Sequence, residues 1–258
     1  MAENGDRVTP PALSINLNKI ALLRNSRGRD LPNLLHYVDC VLHAGADGIT
    51  LHPRLDQRHV RVEDVRSVAA HLSAHWPSVE LNIECEDHAD LIELIVAVHP
   101  AQCTLVPVSV GEITSDHGWD LPRQSNRLAR AASWLVEAGV RVSAFADCDA
   151  TSMDRFAQTG IQRVELYTGP YAWAWGTSTQ ATEVTSIFAT AKAAVAAGLS
   201  VNAGHDLDRY NVAGLRDLPG LRELSIGHAV ACRALEVGYA QAVSELKAAL
   251  RPPPTPQP

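Results

Sequence analysis

Short runs of apolar, often β-branched residues alternate along the chain with longer amphipathic segments. The short runs are LSINL from Leu13, GITLH from Gly48, VELNIE from Val79, CTLVP from Cys103, RVSAFAD from Arg141, RVELYT from Arg163, LSVNAG from Leu199 and ELSIG from Glu223. Their shortness and apolar character predict strands buried on both faces. The longer segments predict helices: Leu34 to Ala44, VEDVRSVAAHL, HADLIELIVAVHP, Ser125 to Ala138 and Thr182 to Ala197. Three of these helices close in Ala-Gly, where glycine provides the cap that turns the chain into the next strand. Asp64 and Asp90 fall near helix starts. Eight strands, each followed by a helix, predict a single-domain α/β fold, the (β/α)8 TIM barrel, with right-handed crossovers. A doubly wound open sheet is the structural alternative, but it rarely uses eight such even repeats.

Length agrees with that count: 258 residues suit one complete eightfold barrel better than two small domains. Residues 1–12 are polar and Pro-containing and predict a flexible N-terminus, 13–250 the barrel, and the Pro-rich RPPPTPQP at 251–258 a disordered tail. A net charge of -7 leaves no basic surplus to neutralise a phosphate backbone, which excludes a general nucleic-acid binder. The opening residues lack the apolar core of a signal peptide, and the longest apolar-rich stretch, Leu91 to Val98, is too short to span a bilayer. Cys40, Cys85, Cys103, Cys148 and Cys232 are scattered without a CxxC pair, as in a cytoplasmic enzyme with reduced thiols. No metal site is expected, since no three ligands show a metal-binding spacing.

In a barrel of this kind, chemistry sits where strands run into the loops that follow. Those strand ends are unusually polar here: Asn16, Asn18, Lys19 and Arg24 after the first, His52, Arg54, Arg58 and His59 after the second, and Glu84 on the third. The sixth brings Glu165 and Thr168, the seventh Asn202 and His205, the eighth Gly227 and His228. Each has a plainer explanation, His52 as a hydrogen-bonded packing residue and Arg54, Arg58 and His59 as solvated loop charges. Glu84 resists that explanation, because a carboxylate inside a buried strand must find a cation or take up a proton, and the second case makes a general base. VNAGH and SIGH both run from strand into a Gly-His turn, a pattern suited to phosphate binding by backbone N–H groups. His36, His43, His71, His75, His88 and His99 fall on helices or their ends and are expected at the surface. The segment YAWAWG, Tyr171 to Gly176, is not strand-like and is expected to form a loop over the barrel mouth or a subunit contact.

The motifs INLNKIALLRNSRG, AGADGITLHPRLDQRH, LNIE, TLVP, LYTGPYA, VNAGH and ELSIGHAV occur in order from Leu13 to Leu246. In that order and spacing the chain resembles the pyridoxine 5'-phosphate synthase family, the ring-closing enzymes of one route to vitamin B6. The resemblance implies condensation of 1-deoxy-D-xylulose 5-phosphate with 3-amino-2-oxopropyl phosphate to pyridoxine 5'-phosphate, phosphate and water, with no cofactor, in a homo-oligomer, often an octamer. It implies that His52 and Glu84 accept protons and His205 donates one. Arg54, His59 and Thr114 match positions contacting the deoxyxylulose phosphate. Arg24, Asp206, Gly227 and His228 match positions around the aminoketone phosphate, and Asn16 matches the asparagine that opens the first motif.

Three places depart from the commoner family pattern. Asn18-Lys19 stands where Asp-His is usual, VSVG (Val108 to Gly111) replaces charged residues, and Asp206 stands where glycine is frequent, so only its backbone N–H carries over. Lys19 remains a candidate to bind phosphate or polarise a carbonyl. The Asn18-Lys19 change leaves open a paralogue that condenses a different amino-ketone and sugar-phosphate pair. A non-catalytic phosphate-sugar binding protein is the third alternative, although mere binding would not require His52, Glu84 and His205 together.

Overall fold

Each strand of the sheet lies parallel to two neighbours, and the eighth pairs with the first, so the sheet closes on itself. The computed structural model describes residues 10–107 and 116–252. The strands are β1 (Ala12–Asn16), β2 (Gly48–Leu51), β3 (Glu80–Cys85), β4 (Gln102–Leu105), β5 (Arg141–Ala146), β6 (Arg163–Tyr167), β7 (Ser200–Gly204) and β8 (Leu221–Ile226). All eight fall on the runs expected from the sequence, and the architecture is the TIM barrel. The helices are α1 (Asn18–Asn25), α2 (Leu34–His43), α3 (Val62–His75), α4 (Ala89–Val98), α5 (Leu121–Glu137), α6 (Met153–Gln158), α7 (Gly169–Ala174), α8 (Gln180–Ala196), α9 (His228–Val237) and α10 (Tyr239–Leu250). None of them is long and apolar enough to cross a membrane.

The Ala-Gly helix ends work as expected. At the end of α2, Gly45 adopts φ 101°, its N–H donates to the Leu42 carbonyl, and the Ala46 N–H reaches back to Val41. This paired closure caps the helix and turns the chain into β2, and it recurs after α5 and α8. Three α-helices exceed one per strand: α1, α7 and one of the pair α9 and α10 after β8. By contrast, β7 is followed by a single 3-10 turn at Val212–Leu215 and no α-helix. α1 follows β1 directly and places Asn18 and Lys19 on its first turn. The Tyr171 segment is not a loop: α7 covers it, with Pro170 in the first turn, where its missing N–H costs nothing. Tyr171 is buried and donates to the Asn211 carbonyl at 2.7 Å, which fixes α7 to the loop after β7.

The strands are buried on both faces, but only one face is apolar. Outward-pointing Leu13, Ile15, Ile49, Leu51, Ile83, Leu105, Val142, Val164, Leu166, Val201, Leu224 and Ile226 pack under the helices as the main core. Alternate residues point into the bore and are polar at its lower levels. The Thr50 hydroxyl meets those of Ser14 and Ser225 at 2.7 and 3.2 Å. Deeper, Gln102 accepts from Asn202 at 3.3 Å and from Arg163 at 3.0 Å, and donates to Glu223 at 3.5 Å. These bonds join β4 to β6, β7 and β8 across the bore, where many barrels pack bulky aliphatic side chains. The sequence carried this as an alternation of period two within each strand, which the expectation of wholly apolar strands passed over.

Glu223 gives this interior a dependence on pH. Burial pushes its carboxyl up to about 7, against the opposing pull of Arg163, so the fold favours its neutral form. The stability this proton confers is fully present below the ordinary carboxylate range and is lost as pH rises through about 7. Glu223→Gln keeps the hydrogen-bonding shape without the titration. Its melting temperature, compared with that of the unaltered chain, is expected to gain ground steadily between pH 5 and pH 8; a constant difference would refute the assignment.

Candidate active site

The C-terminal ends of the strands surround a cavity of about 340 Å³. Its lining includes Asn16, Asn18, Lys19, His52, Arg54, His59, Glu84, His205, Asp206, Gly227 and His228. These residues are 212 positions apart at the extremes and meet because strand closure brings β1 beside β8. Thr114 lies outside the described residues. Arg24 is buried elsewhere, its guanidinium bonded to both oxygens of Asp64 at 2.5 and 2.7 Å and to Asn25.

On the β1 to β3 side, polar groups hold one another in a fixed array. Glu84 projects from β3 with its Oε2 3.2 Å from His52 Nδ1. Asn16 Nδ2 donates to both Glu84 oxygens at 3.3 and 3.4 Å, while Asn16 Oδ1 accepts the Asn18 N–H at 3.0 Å. Asn18 Oδ1 in turn accepts the His52 N–H at 2.9 Å. The amide at position 18 therefore orients the backbone that carries His52. With Nδ1–H directed at Glu84, a neutral His52 ring presents its lone pair at Nε2, an atom without a hydrogen-bond partner among the described residues. Nearby, burial and then the charges of His52 and Arg54 push His59 down to about 3. Its ring is neutral, accepts the Val60 N–H at Nδ1, and offers Nε2–H as a donor.

On the β7 to β8 side, the Thr168 hydroxyl and N–H both bond the Gly204 carbonyl, at 2.6 and 2.9 Å, and fix the turn into His205. His205 and Asp206 both take positive φ, 88° and 58°, and the His205 ring lies beside those of Tyr167 and Phe145, with centroids 5.1 and 6.5 Å away. Gly227 leads into α9, and a Cβ there would stand 2.9 Å from the Asn16 Cβ, so the close approach of β8 to β1 requires glycine. The first turn of α9 thus opens on the cavity with backbone N–H groups that have no intrahelical acceptor, beside His228, a geometry that favours an anion.

Glu165 closes the floor. It is buried on β6, accepts the Thr104 hydroxyl at 3.3 Å, and rests over Gly204, whose missing Cβ would lie 2.5 Å from its Oε1. Burial, and then the charges of Glu84 and Glu223, push its carboxyl well above the ordinary range, so the fold favours its neutral form. A neutral carboxyl can donate a hydrogen bond into the cavity, which an ionised one cannot. The sequence marked Glu165 as a strand-end polar residue without a role. It gave no sign of Val106 and Phe145, which also line the cavity, because an apolar residue in a strand reads as core.

Residues 13–252 match the family model described as pyridoxal phosphate biosynthesis protein PdxJ. A pyridoxine 5'-phosphate synthase of Albidiferax ferrireducens is 45% identical, over 90% of this chain and 94% of its own length. The enzyme of the same name from Allorhizobium ampelinum is 43% identical, over 93% and 98%. Among solved structures, a 3-hexulose-6-phosphate synthase aligns with TM-score 0.62 at 13% identity, covering 93% of this chain and 100% of that one. The tryptophan synthase A-subunit of Pyrococcus furiosus aligns with TM-score 0.63 at 12% identity, over 93% and 98%. At such identities the two structures share the barrel alone.

Proposed function

The chain belongs to the PdxJ family of pyridoxal phosphate biosynthesis proteins, and from that premise we propose that it is a pyridoxine 5'-phosphate synthase. It condenses 1-deoxy-D-xylulose 5-phosphate with 3-amino-2-oxopropyl phosphate, giving pyridoxine 5'-phosphate, phosphate and water. The observation that carries the reading is the His52–Glu84 pair, at 3.2 Å, sharing one cavity with His205.

That arrangement supports the roles that the family resemblance implies. Joining an amine and two ketones into an aromatic ring needs repeated proton transfers, so bases and an acid must face one reaction space. His52 and Glu84 take protons from the substrate carbons and nitrogen, and His205 gives one to a departing oxygen. Holding two phosphorylated substrates together removes the entropic cost of their encounter before chemistry begins. Arg54, His59 and Thr114 take the deoxyxylulose phosphate. The N–H groups of Asp206, Gly227 and His228 take the aminoketone phosphate, and Asn16 steadies Glu84 beside it. Lys19, exposed on α1, supplies a cation in place of the family's usual imidazole. Arg24 reaches the aminoketone phosphate only by exchanging Asp64 for it.

No cofactor enters this scheme. Residues 13–250 form the catalytic barrel, and the enzyme works in the cytoplasm as a homo-oligomer, an octamer by family likeness; of the expected terminal segments, 1–9 and 253–258 lie outside the described residues. The test is direct: purified protein with both substrates should release phosphate and form pyridoxine 5'-phosphate at an ordinary enzymatic rate, on the order of 1 s⁻¹ or slower. Binding of one substrate without that product would replace this reading with a paralogue acting on a different partner.

A further inference from the structure

The inward residues of β4, β5 and β6 change character at the mouth. Along β4 the bore-facing positions are Gln102, Thr104 and, one step past the strand, Val106; along β5 they are Arg141, Ser143 and Phe145; along β6 they are Arg163, Glu165 and Tyr167. The lower two layers are polar in all three strands, and the top layer is apolar in all three. Val106, Phe145 and Tyr167 form a cluster of their own, separate from the main core. Phe145 and Tyr167 lie with ring centroids 5.6 Å apart, and the His205 ring stands edge-on to Tyr167 at 5.1 Å. Val106 and Phe145 face the cavity directly.

A bore lined with hydroxyls, amides and charges gains nothing structural from an apolar patch at its most open level. Such a patch is placed to meet an apolar part of what enters. On the function proposed above, the substrates are polar at nearly every atom, and the exception is the terminal methyl of the deoxyketose. The phosphate of that substrate is assigned to Arg54 and His59 beyond β2, and β2 lies across the mouth from β6. An extended five-carbon chain anchored there carries its methyl ketone end toward Val106 and Phe145.

We propose that Val106 and Phe145, backed by Tyr167, form a specificity-determining wall that seats the methyl group and selects a 1-deoxyketose phosphate over the 1-hydroxylated ketose phosphate. This rests on the synthase reading and adds the basis of substrate choice. An apolar pocket rejects an added hydroxyl by no more than about 10²-fold, so the discrimination has a ceiling.

The experiment compares kcat/KM for 1-deoxy-D-xylulose 5-phosphate and D-xylulose 5-phosphate in the unaltered enzyme and in Val106→Thr, which exchanges a methyl for a hydroxyl at nearly constant volume. The expected result is preference for the deoxyketose in the unaltered enzyme and a fall in that preference of about tenfold in the variant. Val106→Ile, still apolar, should retain it. An unchanged ratio in Val106→Thr overturns the wall. Competition between the two ketose phosphates for the unaltered protein gives a measure independent of the variant's folding, and equal binding also overturns it. Failure of the unaltered protein to form pyridoxine 5'-phosphate would instead overturn the synthase reading, so the two failures are distinguishable.

Discussion

Glu84→Gln is expected to lower kcat for pyridoxine 5'-phosphate formation by roughly 10² to 10⁴-fold, the usual worth of a general base. The amide can still accept from Asn16 and lie against His52, because glutamine has the length and one acceptor oxygen of glutamate. What it lacks is the capacity to take a proton. The loss should therefore fall on kcat, while calorimetric titration with deoxyxylulose phosphate gives an affinity close to that of the unaltered protein. Asn16→Ala should fall between the two, since it removes the group that holds both Glu84 oxygens without removing the base. A Glu84→Gln enzyme with near-normal kcat would take the proton-accepting role away from this residue.

Arg24→Ala is expected to cost about 3 kcal/mol of stability, because it leaves a largely buried Asp64 without its cation. For a chain of this size that is a fall in Tm on the order of 10 °C. The pair ties α1 to the first turn of α3, a junction that Asn25 reinforces by donating at 2.7 Å to the His59 carbonyl in the segment just before it. Arg24→Lys should recover only part of the loss, since an ammonium cannot match the two-pronged bond to the carboxylate. If Arg24 also exchanges Asp64 for the aminoketone phosphate, KM for that substrate rises in both variants. A rise confined to deoxyxylulose phosphate would undo the placement, and an unchanged Tm would show that the pair does not stabilise the fold.

The barrel was legible because helix-forming and strand-forming segments differ in length and in their closing Ala-Gly signals, which depend on neighbours along the chain. The active-site side of β1, β2 and β3 was legible for another reason: a carboxylate, an imidazole and amides inside apolar runs are too costly to bury without purpose. Arg24 shows where that logic stops, because a sequence of cations near a strand end does not say which carboxylate will claim each one. Its partner lies 40 positions away on α3. Phe145 and Val106 show the opposite limit. An apolar side chain looks the same in the sequence whether it points out to the helices or in to the cavity, and only the strand register decides. α7 was hidden by its aromatic content, which speaks against a helix until Pro170 and the bond from Tyr171 to Asn211 are seen together.

The polar bore also shapes how the protein responds to temperature. Unfolding hydrates both faces of the sheet, and the two faces act oppositely on the heat capacity: exposed aliphatic surface raises it, whereas exposed amide, hydroxyl and carboxyl surface lowers it. Ser14, Thr50, Asn82, Gln102, Thr104, Glu165, Asn202 and Glu223 are buried where another barrel would hide branched aliphatics. Per residue, the heat capacity of unfolding then falls below the usual ~12–15 cal/mol/K, and the curve of stability against temperature is broader and flatter than that of a barrel packed with valine and isoleucine.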